Sequence, residues 1–119
     1  MGLSFVQLPD GSVTAEYACH PRYQGYPDRL HGGIVALLLD AAMTHCLFAR
    51  GLQGVTARLS IRYSHPVDLE VPATVRAAVE RSRGLLRDLE ASISQGGQIR
   101  ATASGCFLLQ EEPREHPAS

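Results

Sequence analysis

An α+β domain, in which an antiparallel sheet packs on one long buried helix, is the fold class this 119-residue sequence predicts. Two observations carry that reading. Between Gly32 and Arg50 apolar residues recur at Ile34, Leu37, Leu38, Ala41, Ala42 and Phe48, the spacing of a helix, and also fill Val35, Ala36, Leu39 and Met43. A helix that is apolar nearly all round is a buried one. From Val55 onward, apolar and polar residues alternate with period two in successive stretches joined by short turn signals, the pattern of antiparallel strands.

Taken in order, Leu3 to Leu8 and Ser12 to Ala18 read as two short strands joined by the turn Pro9-Asp10-Gly11. Residues 20–30 hold two prolines, a glycine and two tyrosines with neither period, and read as a loop. The helix follows, and Gly51 ends it with Arg50 in the last turn. In the first long strand Val55, Ala57, Leu59, Ile61 and Tyr63 alternate with Thr56, Arg58, Ser60, Arg62 and Ser64. A second strand runs from Val71 to Val79 and a third from Leu85 to Ile93. The hairpin signal Gln95-Gly96-Gly97-Gln98 leads into a fourth, from Ile99 to Leu109. Residues 1–109 therefore form one domain, and the acidic, proline-bearing stretch 110–119 reads as a disordered tail.

Composition narrows the function classes. Apolar residues make up 45% and charged residues 19%, which is globular rather than disordered. A net charge of −1 and the absence of Trp give neither a basic footprint nor stacking platforms for nucleic acid. The basic residues are all Arg, so an anion site would be built from guanidinium forks or backbone amides. Cys19, Cys46 and Cys106 show no C-x-x-C spacing, and with His20 and His45 they form no ligand set of recognised spacing; reduced thiols in a cytoplasmic protein without a metal are expected. The apolar run 34–43 is short and broken by Asp40, which argues against a membrane span.

Asp40 is the only polar residue in that run, and a lone carboxylate there asks for a reason. Desolvation makes a carboxylate a better base, so Asp40 is the candidate general base or nucleophile. Gly32 and Gly33 open the helix, where unpartnered N–H groups and the positive end of the helix dipole suit a developing oxyanion. Thr44, four residues after Asp40, shares its helix face and is placed to hold an attacking water. Thr56 falls on the polar strand face with Arg58 and Arg62. Arg81 and Arg83, with Arg87 around the turn at Gly84, form the best group for phosphates; the competing reading pairs them with Glu80, Asp88 and Glu90.

His31-Gly32-Gly33 with Asp40, Tyr23-Gln24-Gly25 upstream, and Thr56-Ala57-Arg58-Leu59-Ser60-Ile61-Arg62-Tyr63 with Pro66-Val67 downstream resemble the hotdog-fold acyl-CoA thioesterases of the phenylacetic-acid-degradation type. The resemblance covers roughly residues 20–109 of the chain. It implies a hotdog fold and hydrolysis of an acyl-CoA, with the Gly32 amide polarising the thioester carbonyl and no cofactor beyond the coenzyme A of the substrate. Thr56 matches a Ser or Thr of other branches. Many relatives carry Asn or Gln six residues before the His; here that position is Gly25, and Gln24 is the nearest amide able to bind the carbonyl. His31 belongs to the substrate site as a structural residue at the helix entrance. Gly32 and Asp40 lie about 12 Å apart along one helix at ~1.5 Å per residue, too far to serve one thioester. Geometry and resemblance thus agree on a homodimer with interfacial sites, or a dimer of dimers. The alternative is a dimer that binds acyl-CoA or another small ligand without turnover; a hydratase would need a close Asp and His pair opening the central helix, where this sequence has no second acid or base.

Overall fold

The computed structural model describes residues 4–17, 24–26, 29–30, 32–68 and 71–110. Its elements in chain order are β1 (Val6–Gln7), β2 (Val13–Tyr17), β3 (Gln24–Tyr26), β4 (Arg29–Leu30), α1 (Gly32–Ala49), β5 (Gly54–Tyr63), β6 (Ala73–Arg83), β7 (Leu86–Gln95) and β8 (Gln98–Leu109). Six strands form one sheet in the order β1-β2-β6-β7-β8-β5, antiparallel at every junction, and α1 packs across one face of it. Residues 20–30, read as loop, contain a small hairpin pairing Gln24 with Leu30. Strands of two and three residues are too short to show a period. The stretch 111–119, expected to be disordered, lies outside the described residues.

Alternation along the strands sets what the helix meets. Val75, Ala77, Leu89, Ala91, Ile93, Ala101, Ala103 and Phe107 face inward and are buried against Val35, Leu38, Leu39, Ala42, Met43, Cys46 and Leu47 of α1. Gly105 belongs to this packing: a Cβ there would come within 2.9 Å of both Met43 Sδ and the Phe107 ring. By length and composition α1 is apolar enough to cross a membrane, contrary to the reading of a run too short; here its buried stripe lies against the sheet.

The chain reversals follow their residues. Gly51 adopts φ 75°, with Gly51 N–H donating to Phe48 O and Leu52 N–H to Leu47 O, the two bonds of a Schellman stop. Arg50 lies just beyond the helix instead of in its last turn, with its guanidinium over Gly11. Gly96 and Gly97 both have positive φ and close β7 onto β8 through the two-residue turn that the right-handed strand twist favours.

One sequence expectation fails within the sheet. The pairs Thr56↔Phe107 and Arg58↔Cys106 are consecutive on β8 but two apart on β5, so Ala57 is the extra residue of a β-bulge. Strict alternation places Thr56 with Arg58 and Arg62 on one face. In the structure Thr56 sits opposite inward-facing Phe107, whereas Val55 pairs with Leu108 on the outer face, 45% and 42% exposed. A bulge consumes one residue without changing the pattern of polar and apolar types, so period counting passes over it.

Candidate active site

The turn of face at Ala57 brings two predicted residues together. The Thr56 hydroxyl donates to Asp40 Oδ1 at 3.1 Å, joining the middle of α1 to the start of β5 across 16 positions of sequence. The bond fixes the carboxylate, and Oδ2 has no donor among the described residues. Asp40 is half-buried rather than enclosed. It lies on the helix stripe turned away from the sheet, flanked by Leu37, 49% exposed, and by Ala41 and Thr44, with Phe48, 67% exposed, two turns on. The expectation of a helix buried all round is therefore corrected: one apolar stripe, with Asp40 in it, is uncovered.

Thr44 shares that stripe, but its hydroxyl donates to the Asp40 carbonyl at 3.0 Å. This is the back-bond helical threonines commonly make, and it spends the proton that would otherwise orient a water. Gly32 is the first residue of α1, so its N–H is among those with no intrahelical acceptor. The Tyr63 hydroxyl donates to the Gly32 carbonyl at 2.9 Å, and the ring stands 3.8 Å from where a Gly32 Cβ would be. Tyr63 thus anchors the glycine end of α1 to the far end of β5. The sequence reading assigned Tyr63 only to the inward row of a strand, because nothing local signals a contact spanning 31 positions. Gly33 follows Gly32 in the first turn. Gln24 lies on β3, but its side chain, like the whole of His31, is outside the described residues.

Arg81 and Arg83 are elsewhere. Both belong to the sheet's outer face, opposite the one against which Asp40 and Thr56 sit. Arg83 forks onto Asp88 with Nε to Oδ2 at 3.1 Å and Nη2 to Oδ1 at 2.9 Å, and Arg81 Nε stands 3.9 Å from Asp88 Oδ2. Hydrogen bonding from Arg83 holds the Asp88 carboxyl below its ordinary range against some desolvation, and Asp88 in turn raises the Arg83 guanidinium. Arg87 Nη1 is taken by the carbonyls of Gly84 and Leu86. The turn neutralises itself, which is the competing reading of this cluster. Cys46 is fully buried, its thiol against the Gly11 carbonyl at 3.8 Å; burial pushes its pKa up in spite of Arg50 nearby, so it is no thiolate nucleophile. His45 stacks on Phe5 with ring centroids 4.6 Å apart.

Residues 28–101, which include the helix and the strand that carry this hydrogen bond, match a family model described as the thioesterase superfamily. The chain belongs to the thioesterase superfamily. A thioesterase superfamily protein of known crystal structure superposes with a TM-score of 0.86 at 33% identity, covering 89% of this chain and 55% of the other. A protein from Streptococcus pneumoniae described as a hypothetical thioesterase, in a crystal structure with coenzyme A, gives the same TM-score at 20% identity, over 93% of this chain and 90% of that one. The sheet packed on its single long helix is the hotdog fold. Among curated relatives, MIOREX complex component 3 of Saccharomyces cerevisiae is 27% identical over 95 residues, which is 78% of this chain and 35% of the yeast protein. Acyl-coenzyme A thioesterase THEM4 of Rattus norvegicus is 33% identical over 61 residues, 51% of this chain and 26% of the rat protein. The chain spans only about a third of the length of the curated relatives it matches.

Proposed function

We propose that this superfamily member hydrolyses an acyl-CoA thioester, with Asp40 as the base and the Gly32 amide of a second copy as the oxyanion donor. The observation that carries the reading is the Asp40–Thr56 hydrogen bond. It holds one carboxylate oxygen and leaves the other for a water, whose oxygen attacks the acyl carbon while its proton passes to Asp40. Collapse of the tetrahedral intermediate breaks the C–S bond, and the proton goes to the departing sulfur. Asp40 acting instead as the attacking group, through an anhydride, uses the same atoms.

Two features support a shared site. Gly32 and Asp40 are separated by about 12 Å of helix at ~1.5 Å per residue, so one chain does not bring both to one carbonyl. The sheet ends at β5, ten residues long, with no strand beyond it among the described residues, beside the uncovered stripe of Leu37 and Phe48. An edge of that length is a template for pairing, and a two-fold axis there would carry the Gly32 end of one helix toward Asp40 of the other. The relatives named as acyl-CoA thioesterases, and the likeness to a structure holding coenzyme A, support the choice of thioester.

Thiol release from a panel of acyl-CoAs by the purified chain tests the reading: wild type turns over at least one of them, and Asp40→Asn is slower by roughly 10² or more. Gly25, standing where many relatives have an amide side chain, favours a second reading in which the chain holds acyl-CoA without cleaving it. Saturable binding with no thiol released from any substrate would establish that one instead.

A further inference from the structure

Helices are commonly opened by acidic residues that meet the positive end of the dipole and by side chains that cap the free N–H groups. α1 opens otherwise: its first two residues are Gly32 and Gly33, of the weakest helix former after proline, and its first turn holds no acidic residue. Without a Cβ to restrict it, such a start is free to leave helical geometry. What fixes it comes from the sheet. The Tyr63 hydroxyl donates to the Gly32 carbonyl at 2.9 Å, and a carbonyl has two lone pairs, so this bond adds to the one the helix takes. A methyl group at Gly32 would meet the Tyr63 ring at 3.8 Å, an ordinary contact. Packing among the described residues therefore does not call for glycine here, and the bare backbone is open to a close approach from outside the chain.

Tyr63 is itself held from behind. It pairs with Ala101 at the end of β5, and the next two N–H groups, of Ser64 and His65, both donate to the Arg100 carbonyl, at 2.8 and 3.0 Å. Arg100 Nη1 donates to the Pro66 carbonyl at 2.9 Å, and Val67 is buried. Gln95, 2% exposed, fastens the chain beyond: its Nε2 donates to the carbonyls of Asp68 and Val71 at 2.8 and 2.7 Å, and its Oε1 accepts from the Asp68 N–H at 2.9 Å. A pinned tyrosine thus bears on an unpinned glycine.

We propose that Tyr63 is a positioning residue: by holding the Gly32 carbonyl it keeps the Gly32 amide aimed at the thioester oxygen of the site that Asp40 of a second copy completes. The inference rests on the acyl-CoA reading above and deepens it. A substrate carbonyl accepts weakly from a donor, whereas the oxyanion that replaces it needs that donor already in place, so a loosened amide costs most in the transition state. Loss of the Tyr63 hydroxyl therefore lowers kcat and spares KM. Each tyrosine serves only the site that its own Gly32 enters.

The test uses the full chain and the acyl-CoA that wild type hydrolyses fastest. Tyr63→Phe keeps the ring and loses the hydroxyl; the side chain is 53% exposed, so the variant is expected to fold, and thermal melts verify that it does. Its kcat is expected to fall about three- to tenfold with KM within about twofold of wild type. Tyr63→Phe chains are then exchanged with Asp40→Ala chains and, separately, with chains blocked at Gly32. In the first mixture every mixed dimer holds one site with an intact glycine end and an intact Asp40, so the rate rises about twofold or more above the mean of the two unmixed preparations. In the second no intact site forms, and the rate stays at that mean. An unchanged kcat, or a raised KM with kcat kept, overturns the proposal. So does a flat first mixture, because the defect would then reach beyond the Gly32 of its own chain. The readings beneath it fail separately. Wild type that releases no thiol from any acyl-CoA removes hydrolysis and the positioning role with it. Asp40→Ala chains mixed with chains blocked at Gly32 are the control: no recovery there removes the shared site, whereas recovery there beside a flat first mixture removes the role of Tyr63 alone.

Discussion

At Asp40 one oxygen accepts from Thr56 and the other has no donor among the described residues, and substitutions test the proposed role of each. Asp40→Asn keeps the size of the side chain and its contact with Thr56 but cannot take a proton. Thiol release is expected to fall by roughly 10² or more with little change in ligand affinity. Thr56→Val keeps the strand and loses a hydrogen bond to a charged group, worth about 1.5–3 kcal/mol, so kcat should fall about tenfold or more. Thr44→Val should cost less than either, since its hydroxyl serves the helix backbone; a loss equal to that of Thr56→Val would return it to the reacting water. Glu90 offers a pH test on the outer face. Partial desolvation and the neighbouring Glu80 raise its pKa in the fold although the side chain is exposed, so its charged form carries a small, solvent-screened cost in stability above the folded pKa, which is lost as pH falls through it. Glu90→Gln is expected to raise the melting midpoint by a few °C at most near pH 7, with no gain at acid pH. A destabilised variant at pH 7 would contradict this sign.

At the scale of elements, the helix was legible because its stop is written in Gly51 and its start in Gly32-Gly33, and the long strands because their inward rows are apolar. What escaped the sequence needed two elements at once. Tyr63 on Gly32 and Thr56 on Asp40 both arise where β5 runs beside α1, and no local pattern records that meeting. The arginines at 81 and 83 were legible as a charged turn, but the choice between a phosphate and Asp88 rests on a distance. Replacing both by Ala should leave KM for an acyl-CoA within about twofold, since they lie on the face away from Asp40; a severalfold rise would put them back among the coenzyme contacts. The helix–sheet contact itself is tight at Gly105. Gly105→Ala drives a methyl against Met43 and Phe107 and is expected to cost about 1–3 kcal/mol in denaturant unfolding, unless the flexible end of Met43 yields.

At the scale of the whole molecule, Asp40 lies on an uncovered stripe, the glycine-led start of the helix is about 12 Å away at ~1.5 Å per residue, and the edge strand β5 runs from Thr56 beside the one to Tyr63 on the other. If two copies complete the site, Asp40→Ala chains mixed with chains blocked at Gly32 regain activity. Random exchange makes half the dimers mixed and leaves one intact site in each, so about a quarter of the wild-type rate returns. No recovery in a mixture shown by mass spectrometry to contain mixed dimers would place both residues of each site in one chain.

The bulge at Ala57 makes β5 tolerant of a kind of change that strands rarely survive. Loss of one residue from a strand ordinarily turns every side chain on one side of the gap to the wrong face. At Ala57 the loss would leave Thr56↔Phe107 and Arg58↔Cys106 as adjacent rungs, each with the partner it already has. Deleting Ala57 should therefore preserve both the melting temperature and the hold of Thr56 on Asp40, whereas deleting Leu59 should abolish them. The sequence thus carries a spare residue beside the Thr56–Asp40 hydrogen bond, and the frame of the strand can be edited there without moving that contact.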